Sequence, residues 1–367
     1  MSIKTTLGAS VSVLAVLAVS APAFAQTDIA ALYEAAKAEG QLTTIALPHD
    51  WCGYGAVIEG FKAKYPGITV NELNPNAGSG DEIEAIKANK DNKGPQAPDV
   101  IDVGLSFGPA AVAEGLLQPY KVSTWDSIPD SAKDADGYWY GDYYGVLAFG
   151  VNTDIVTEAP TSFADLADAR FNNAFAMPGD PRTGNSSIMT VYGAGVAVSG
   201  KSGAEAAAAG VEFFKGLKDS GNLVPVNGSA QGMAQGTTPV LVDWDYNVLA
   251  MRDNLKGNPP MEVVVPSDAV IAGVYVQAIS AYAPHPNAAK LWMEYLYSDE
   301  GQTGWLAGYC HPIRFNDMAD RGVIPQDLLD KLPPADAYAK AIFPTLDEQS
   351  AAKTTIGEAW AGAMGVQ

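Results

Sequence analysis

The sequence predicts an α/β fold, because short apolar runs typical of buried strands alternate with segments of helical periodicity along most of the chain. A strand–helix–strand order at this spacing predicts a parallel sheet, whose ligand sites lie at the carboxyl ends of its strands. The chain has 367 residues, a length that suits about two domains once an N-terminal leader is removed.

The N-terminus has the pattern of a secretory signal peptide, which we predict at residues 1–25. One cation, Lys4, precedes an apolar run that is too short to span a bilayer, and Ala23-Phe24-Ala25 supplies an A-x-A cleavage site. A buried N-terminal helix is the alternative, although such helices rarely lack polar positions. No later segment reaches 18 apolar residues, so we expect a soluble protein in the bacterial periplasm.

Composition favours an ordinary folded core and argues against polyanionic partners. Hydrophobic residues make up 47% of the chain and charged residues 17%, and the formal net charge is −20. Such a chain repels nucleic-acid phosphates and anionic lipid headgroups, so neither is an expected partner. Phosphate-loop, H-E-x-x-H and C-x-x-C motifs are missing from the sequence, so we expect no cofactor and no metal site.

From residue 28 onward the apolar periodicity defines the elements in order. The first helix stops at Gly40, a residue that commonly ends helices. The predicted helices cover 28–39, 56–65, 81–88, 109–115, 163–166, 188–198, 204–217 and 287–297, with more helix after 324. The predicted strands cover 42–47, 68–70, 100–103, 145–152, 175–177, 240–242, 263–265 and 274–280. We interpret 145–152 and 266–275 as crossings between two domains.

One enzyme motif is present. Residues 104–108 match G-x-S-x-G between a predicted strand and a helix, where Ser106 could be a nucleophile. Asp243 or Asp245 and then His285 or His311 would complete the order Ser, Asp, His. The pattern arises easily by chance in a chain with 37 glycines, and a serine hydrolase stays an alternative of a different class.

The remaining polar and aromatic motifs indicate ligand binding. Trp51 and Tyr54 follow the first strand, and the loop with Arg182, Thr183 and Asn185 precedes the helix near residue 188. A helix N-terminus with a nearby arginine can bind a carboxylate or a phosphate. Asn185 as an N-cap alone is the simpler interpretation.

A second motif lies at the end of the predicted strand 240–242, where Asp243 and Asp245 flank the indole of Trp244. Trp244 beside Asp245 could bind an ammonium group through cation–π attraction and a charge-assisted hydrogen bond. A buried core tryptophan with exposed acids is the competing interpretation.

Over nearly the whole mature chain the sequence resembles the extracellular solute-binding proteins of ABC importers, and among them the spermidine/putrescine-binding type. The resemblance rests on the order and spacing of several short segments, which are 36–47, 61–68, 97–100, 115–119, 151–154, 287–292 and 298–302. It implies a two-lobed type II periplasmic binding protein with a hinge and a central ligand cleft. The lobes would be 26–147 plus 268–312 and 148–267 plus 313–367.

The resemblance also implies site residues. Trp51 and Tyr54 are similar to the aromatic pair that walls the polyamine site, Ser106 and Phe107 occupy a ligand loop, and Trp244 matches a stacking tryptophan. Tyr275 lies near another aromatic of that family.

The family's amine-binding aspartate is not evident, and Asp245 would replace it. With a carboxylate on Arg182 and an ammonium group on Asp245, the sequence favours an ω-amino acid such as γ-aminobutyrate, or a polyamine. A phosphonate or sugar phosphate is the alternative ligand.

The two-lobed fold further implies a disulfide and a membrane partner. It would bring Cys52 and Cys310 to one domain in an oxidising compartment, and we predict that they pair, with two separate thiols as the alternative. The resemblance implies a small-molecule solute, an ABC permease in the inner membrane and a monomeric protein that closes around its ligand without chemical change.

Overall fold

A computed structural model describes residues 28–332 and 340–366. The predicted signal peptide, residues 1–25, lies outside the described residues. The helices are α1 (Ile29–Glu39), α2 (Tyr54–Lys64), α3 (Ser79–Ala88), α4 (Phe107–Ala113), α5 (Asn185–Ser199), α6 (Gly203–Ser220), α7 (Ala230–Gln235), α8 (Asp245–Leu255), α9 (Pro286–Leu296), α10 (Asp299–Ala307), α11 (Phe315–Asp320), α12 (Gln326–Leu329) and α13 (Leu346–Met364). The strands are β1 (Gln41–Ile45), β2 (Thr69–Leu73), β3 (Val100–Gly104), β4 (Leu117–Gln118), β5 (Trp139–Asn152), β6 (Phe175–Ala176), β7 (Val240–Trp244), β8 (Met261–Val264), β9 (Ala272–Ser280) and β10 (His311–Pro312).

The predicted α/β class is confirmed, and the predicted elements appear in the predicted order. Residues 163–166 form only a short 3₁₀ turn, Ala164–Ala167. Within residues 28–332 and 340–366, the helices fall short of the length and apolarity that a membrane crossing requires.

The prediction of a parallel sheet is wrong for most strand pairs. β1 with β2 and β6 with β7 run parallel, whereas β3 with β9, β5 with β9, and β5 with β7 and β8 run antiparallel. The reason is topological: the chain leaves one half of the molecule along β5 and returns along β9. Two strands that carry the chain out and back must run in opposite directions.

Strand β5 belongs to both halves of the sheet. Its residues Trp139 to Val146 pair with β9, and from Leu147 onward it pairs with β7 and β8. We call the elements that pack on β3 and β9 the first lobe and those that pack on β7 the second lobe. In the first lobe α3 packs on β3 and α9 packs on β9, with α2 and α10 against α9, and in the second lobe α5 and α8 pack on β7, with α13 against α5.

Two facing glycines make the strand crossing possible. Gly145 of β5 lies opposite Gly273 of β9. A Cβ atom at Gly273 would overlap the Trp244 ring, and one at Gly145 would overlap Tyr246 and Asp245. Glycine at both positions therefore lets Trp244, at the end of β7, and Tyr246, in α8, pack directly against the crossing strands.

The predicted disulfide is confirmed in the structure. Cys52, in the turn before α2, is bonded to Cys310, which follows α10, and their Cα atoms are 5.4 Å apart. The bond joins positions 258 residues apart in sequence, and both side chains are fully buried.

Reduction of this disulfide should destabilise the protein strongly. A cross-link over so long a loop removes much of the conformational entropy of the unfolded chain and contributes about 2–5 kcal/mol. Urea unfolding with and without a reductant measures the change. The Cys52→Ser, Cys310→Ser double variant is the control and should be insensitive to the reductant; equal stability of the oxidised and reduced wild type would contradict the prediction.

Candidate functional site

A cavity of about 390 Å³ lies where β3 ends against the beginnings of α3 and α5. It is bordered by both lobes, and most of its polar lining comes from loops and helix starts. The lining residues are Ala46, Pro48, Trp51, Asn76, Ala77, Gly78, Ser79, Asp81, Glu82, Asp102, Pro178, Gly179, Asp180, Thr183, Gly184, Asn185, Ser186, Ser187, Asn227 and Tyr275. Its volume is in the range of small-molecule sites.

Asp102, the middle residue of strand β3, is the cavity-lining acid with the best-defined hydrogen bonds. Two tyrosine hydroxyls donate to its Oδ2 atom, Tyr54 at 2.6 Å and Tyr143 at 2.7 Å. Its Oδ1 atom is buried and has no hydrogen-bond partner. Burial raises the pKa of Asp102 to about 7, although both tyrosine hydrogen bonds act to lower it.

Two more acids surround Asp102. Glu82 of α3 accepts the backbone N–H of Asp102 at 2.8 Å, and Asp142 of β5 accepts from Gln277 at 3.1 Å. Burial raises the pKa of both carboxyls well above the usual range. Within the described residues, no lysine, arginine or histidine forms an ion pair with these three acids. A cation entering the cavity would therefore gain more there than at an exposed carboxylate.

The end of the cavity where α3 and α5 begin favours an anionic group rather than a cation. The N-cap residues of these helices are Gly78 and Gly184, neither of which provides a capping side chain. In α3 the Gly80 and Asp81 N–H groups already donate to the Thr183 and Gly78 carbonyls, so the first-turn N–H groups that could meet a ligand belong mainly to α5, where the helix dipole is positive. In α5, the Ser187 hydroxyl is also buried without a partner and can donate a hydrogen bond, whereas the unpartnered Asn185 Oδ1 atom can only accept one. This end of the cavity suits an oxyanion.

Aromatic rings form the walls between the two ends. The Trp51 Nε1 atom donates to the Tyr143 hydroxyl at 2.7 Å. The Trp51 ring meets the Tyr275 ring edge-on at 5.3 Å, and Tyr275 stacks on Tyr143 at 5.5 Å between ring centroids. The walls are therefore rigid and apolar, and they can hold an alkyl chain or face a cation.

Contacts between the lobes border the cavity. The Gly80 N–H group of α3 donates to the Thr183 carbonyl at 3.3 Å. The Lys353 Nζ atom of α13 lies 3.4 Å from the centroid of the Phe107 ring. Each contact joins one lobe to the other, and the first involves Thr183, which lines the cavity.

The predicted site residues divide into two groups. Four line the cavity, namely Trp51, Thr183, Asn185 and Tyr275, and Tyr54 lies behind it as a partner of Asp102. Five others do not line it in this structure: Ser106, Phe107, Arg182, Trp244 and Asp245. A direct contact of these five with ligand stays a prediction.

Four of these five side chains have other partners in this structure. The guanidinium group of Arg182 binds the Asp180 carboxylate at 2.7 Å. The Asp245 Oδ1 atom accepts the backbone N–H of Val146 at 3.0 Å. The fully buried Trp244 donates to the Tyr275 hydroxyl at 3.4 Å, behind the cavity wall. Phe107 packs under Lys353, as described above.

Sequence reasoning missed Asp102, Glu82 and Ser187. A usable signal for Asp102 was present, because a single charge in the run VIDVG stands inside an otherwise apolar strand. A buried charge costs free energy and needs a reason. Glu82 and Ser187 follow ordinary helix patterns and gave no such signal.

Ser106 has a different setting from that of a catalytic serine paired with His285. The His285 Nδ1 atom is 2.9 Å from the Asp99 Oδ2 atom. Asp99 precedes β3 and Ser106 follows it, so the five-residue strand separates them by about 16 Å.

The comparisons identify the family. The profile of the bacterial extracellular solute-binding proteins matches residues 96–331. The chain belongs to this family. A Salmonella typhimurium protein named "Putative 2-aminoethylphosphonate-binding periplasmic protein" is 26% identical over 256 residues, which cover 65% of this chain and 68% of that protein.

Solved structures share the fold. The periplasmic binding protein AfuA from Actinobacillus pleuropneumoniae, solved with fructose-6-phosphate, matches with a TM-score of 0.70 at 22% identity, over 89% of this chain and 98% of that one. The Atu4243-GABA receptor matches with a TM-score of 0.64 at 18% identity, over 88% and 97%. The two-lobed type II periplasmic binding-protein fold expected from the sequence is thereby confirmed, and the protein is the solute-binding component of an ABC transporter.

Substitution of Gly104 by alanine should weaken ligand binding without unfolding the protein. A Cβ atom there would overlap the Asn185 side chain, which approaches from the other lobe. We expect a loss of affinity of about tenfold, the size that a small steric misfit of about 1–2 kcal/mol produces. Gly216→Ala, on an exposed part of α6 with open space around it, is the control. Equal affinities of the two variants would contradict the prediction.

The stability of the ligand-free protein should fall as pH rises from 5 to 7 through the contribution of Asp102. The folded protein keeps the Asp102 proton up to a pKa of about 7, whereas an unfolded carboxyl loses it near about 4. Between these values the folded state binds more protons, so the free energy of unfolding decreases with pH.

Melting temperatures of the wild type and Asp102→Asn, measured from pH 5 to 8, isolate this contribution. The difference between the two curves should change with pH up to about 7 and then level off. A constant difference would show that Asp102 titrates normally.

Proposed function

We propose that this periplasmic protein captures a small zwitterion, with an ammonium group at one end and a phosphonate or carboxylate at the other, and delivers it to an ABC permease. The observation that carries the proposal is the unpartnered Oδ1 atom of Asp102, buried among acids without a counter-ion. An ammonium group supplies the missing charge and a hydrogen-bond donor.

The helix starts support an oxyanion at the other end of the same ligand. The N-termini of α3 and α5 converge on the cavity, and Ser187 adds a buried hydroxyl that lacks a partner. A phosphonate group offers three oxygens to such donors and a carboxylate offers two. An ω-aminophosphonate such as 2-aminoethylphosphonate is therefore the first candidate, and γ-aminobutyrate is the carboxylate counterpart. The named Salmonella relative and the GABA receptor agree with this class.

The same features argue against the other two ligand classes. A polyamine would bring a second cation to the positive ends of two helices, where the carboxylates of Asp81 and Asp180 are already bound to Gly78 and Arg182. A sugar phosphate has no ammonium group for the unpartnered Oδ1 atom of Asp102. Both ligands belong in the test as comparisons.

We further propose that binding closes the two lobes, 26–147 plus 268–312 and 148–267 plus 313–367, about β5 and β9. The exported monomer, with its signal peptide 1–25 removed, would present the closed form to the permease. Hydrolysis by Ser106 stays the alternative of another class, and turnover of a chromogenic ester that is lost in Ser106→Ala would support it.

Titration calorimetry with five compounds tests the ligand class. These are 2-aminoethylphosphonate, γ-aminobutyrate, ethylphosphonate, putrescine and fructose-6-phosphate. We expect at least one of the two zwitterions to bind about 30-fold or more tightly than ethylphosphonate, because leaving a buried charge unpaired costs about 2–5 kcal/mol. Equal affinity for ethylphosphonate, or tightest binding of putrescine or the sugar phosphate, would contradict the proposal.

The Asp102→Asn variant should lose affinity for the zwitterion selectively. The neutral amide removes the charge that faces the ammonium group, so we expect about a 30-fold loss for 2-aminoethylphosphonate and little change for ethylphosphonate. Asp243→Asn is the matched control, since Asp243 is an acid with a raised pKa that does not line the cavity. An equal loss for both ligands would mean that Asp102 has a structural role only.

A further inference from the structure

The hydroxyl of Tyr143 connects the carboxylate of the site to its aromatic wall. It is 2.7 Å from the Trp51 Nε1 atom and 2.7 Å from the Asp102 Oδ2 atom. An indole N–H can only donate, so the Tyr143 oxygen accepts from Trp51 and its single proton is left for Asp102. The direction of both hydrogen bonds is therefore fixed by chemistry alone.

Tyr54 is arranged in the same way on the other side of the carboxylate. Its hydroxyl accepts from Gln277 Nε2 at 2.7 Å and donates to the Asp102 Oδ2 atom at 2.6 Å. Two hydroxyl protons thus point at one oxygen of Asp102. A proton on Oδ2 would be repelled by these two hydroxyl protons, so Asp102 is protonated on Oδ1.

We propose that Tyr143 is a positioning residue for recognition of the ligand's ammonium group. Together with Tyr54 it holds Oδ2, so that Oδ1 alone is available to the ammonium group, and it fixes Trp51 at the same time. This inference rests on the proposed function and deepens it: the ammonium group and a proton compete for the same carboxylate oxygen. Specificity for a charged amine is therefore set by a tyrosine that does not line the cavity.

The position of Tyr143 in the fold supports this role. The side chain is fully buried, stacks on Tyr275 with an angle of 12° between the rings, and meets Tyr246 edge-on. Its ring cannot rotate away without disturbing the cavity wall. The next residue, Tyr144, points to the other face of β5 and stacks on His311.

Burial and the hydrogen bonds from Tyr54 and Tyr143 determine the pKa of Asp102 itself. The described titratable groups whose pKa the Asp102 charge raises are all acids or phenols, namely Tyr54 of α2, Glu82 of α3, Asp142 and Tyr143 of β5, Tyr246 of α8, Tyr275 of β9 and Tyr297, which follows α9. Burial raises the pKa of each of these groups. Competition between ammonium and proton should therefore occur near neutral pH.

The test uses Tyr143→Phe with Tyr140→Phe as the matched control. Tyr140 is a fully buried tyrosine of the same strand whose hydroxyl has no partner. Affinities for 2-aminoethylphosphonate and ethylphosphonate are measured from pH 5.5 to 8.5. In the wild type, we expect the ratio of the two affinities to rise with pH as Oδ1 loses its proton.

For Tyr143→Phe we expect about a tenfold loss of affinity for 2-aminoethylphosphonate near neutral pH, an unchanged affinity for ethylphosphonate, and a pH midpoint of the ratio shifted upward. Loss of a donor to the carboxylate raises its pKa, whereas a purely structural defect leaves the midpoint in place. An unshifted midpoint, or an equal loss for both ligands, would overturn the proposal.

A ligand-free measurement separates this proposal from the proposed function. Failure of the wild type to bind either zwitterion would overturn the proposed function alone. Melting temperatures from pH 5 to 9 then still test Tyr143. The decline in stability due to Asp102 should extend to higher pH in Tyr143→Phe than in Tyr140→Phe. Identical profiles would overturn the positioning role.

Discussion

The burial of Asp102 between two tyrosine hydroxyls is the constraint on which the rest of the site depends. A carboxylate this deep in the protein loses most of its hydration, and two donors on one oxygen recover only part of that loss. Burial also raises the pKa of Glu82 and Asp142 beside it, and no cationic side chain forms an ion pair with the three acids in the described part of the chain. Under the proposed function, an ammonium group is the partner that the Oδ1 atom of Asp102 lacks.

Strand β5, which crosses between the lobes, places the Tyr143 hydroxyl against Asp102. Because β5 serves both lobes, the tyrosine that holds Asp102 stands beside the point where the lobes join. The facing glycines Gly145 and Gly273 let Trp244 and Tyr246 of the second lobe pack against β5 and β9. The proposed closure of the lobes would therefore take place beside Asp102.

Local periodicity was enough to predict most helices, most strands and the α/β class, because these depend on residues close in sequence, but it missed α7, α8, α10 and α11. The sheet direction was not predictable in that way, since it depends on where the chain crosses between lobes. The disulfide could be predicted once the two-lobed fold was assumed. Trp51 and Asn185 were found because they lie at a strand end and a helix start. Asp102 was missed because its role depends on Tyr54 and Tyr143, which are 48 and 41 residues away.

The most direct test of the central claim is the proton balance of binding. Calorimetric titration of the wild type with 2-aminoethylphosphonate at pH 6.5, in buffers of different ionisation enthalpy, counts the protons released per ligand. The same titration is done with ethylphosphonate, and the protons that each free phosphonate carries at that pH are measured separately and subtracted. With a pKa of about 7, Asp102 is mostly protonated at that pH, so we predict release of more than about half a proton beyond the ethylphosphonate value. Heats that give the same proton count for both ligands would contradict the claim that an ammonium group replaces a proton on Asp102.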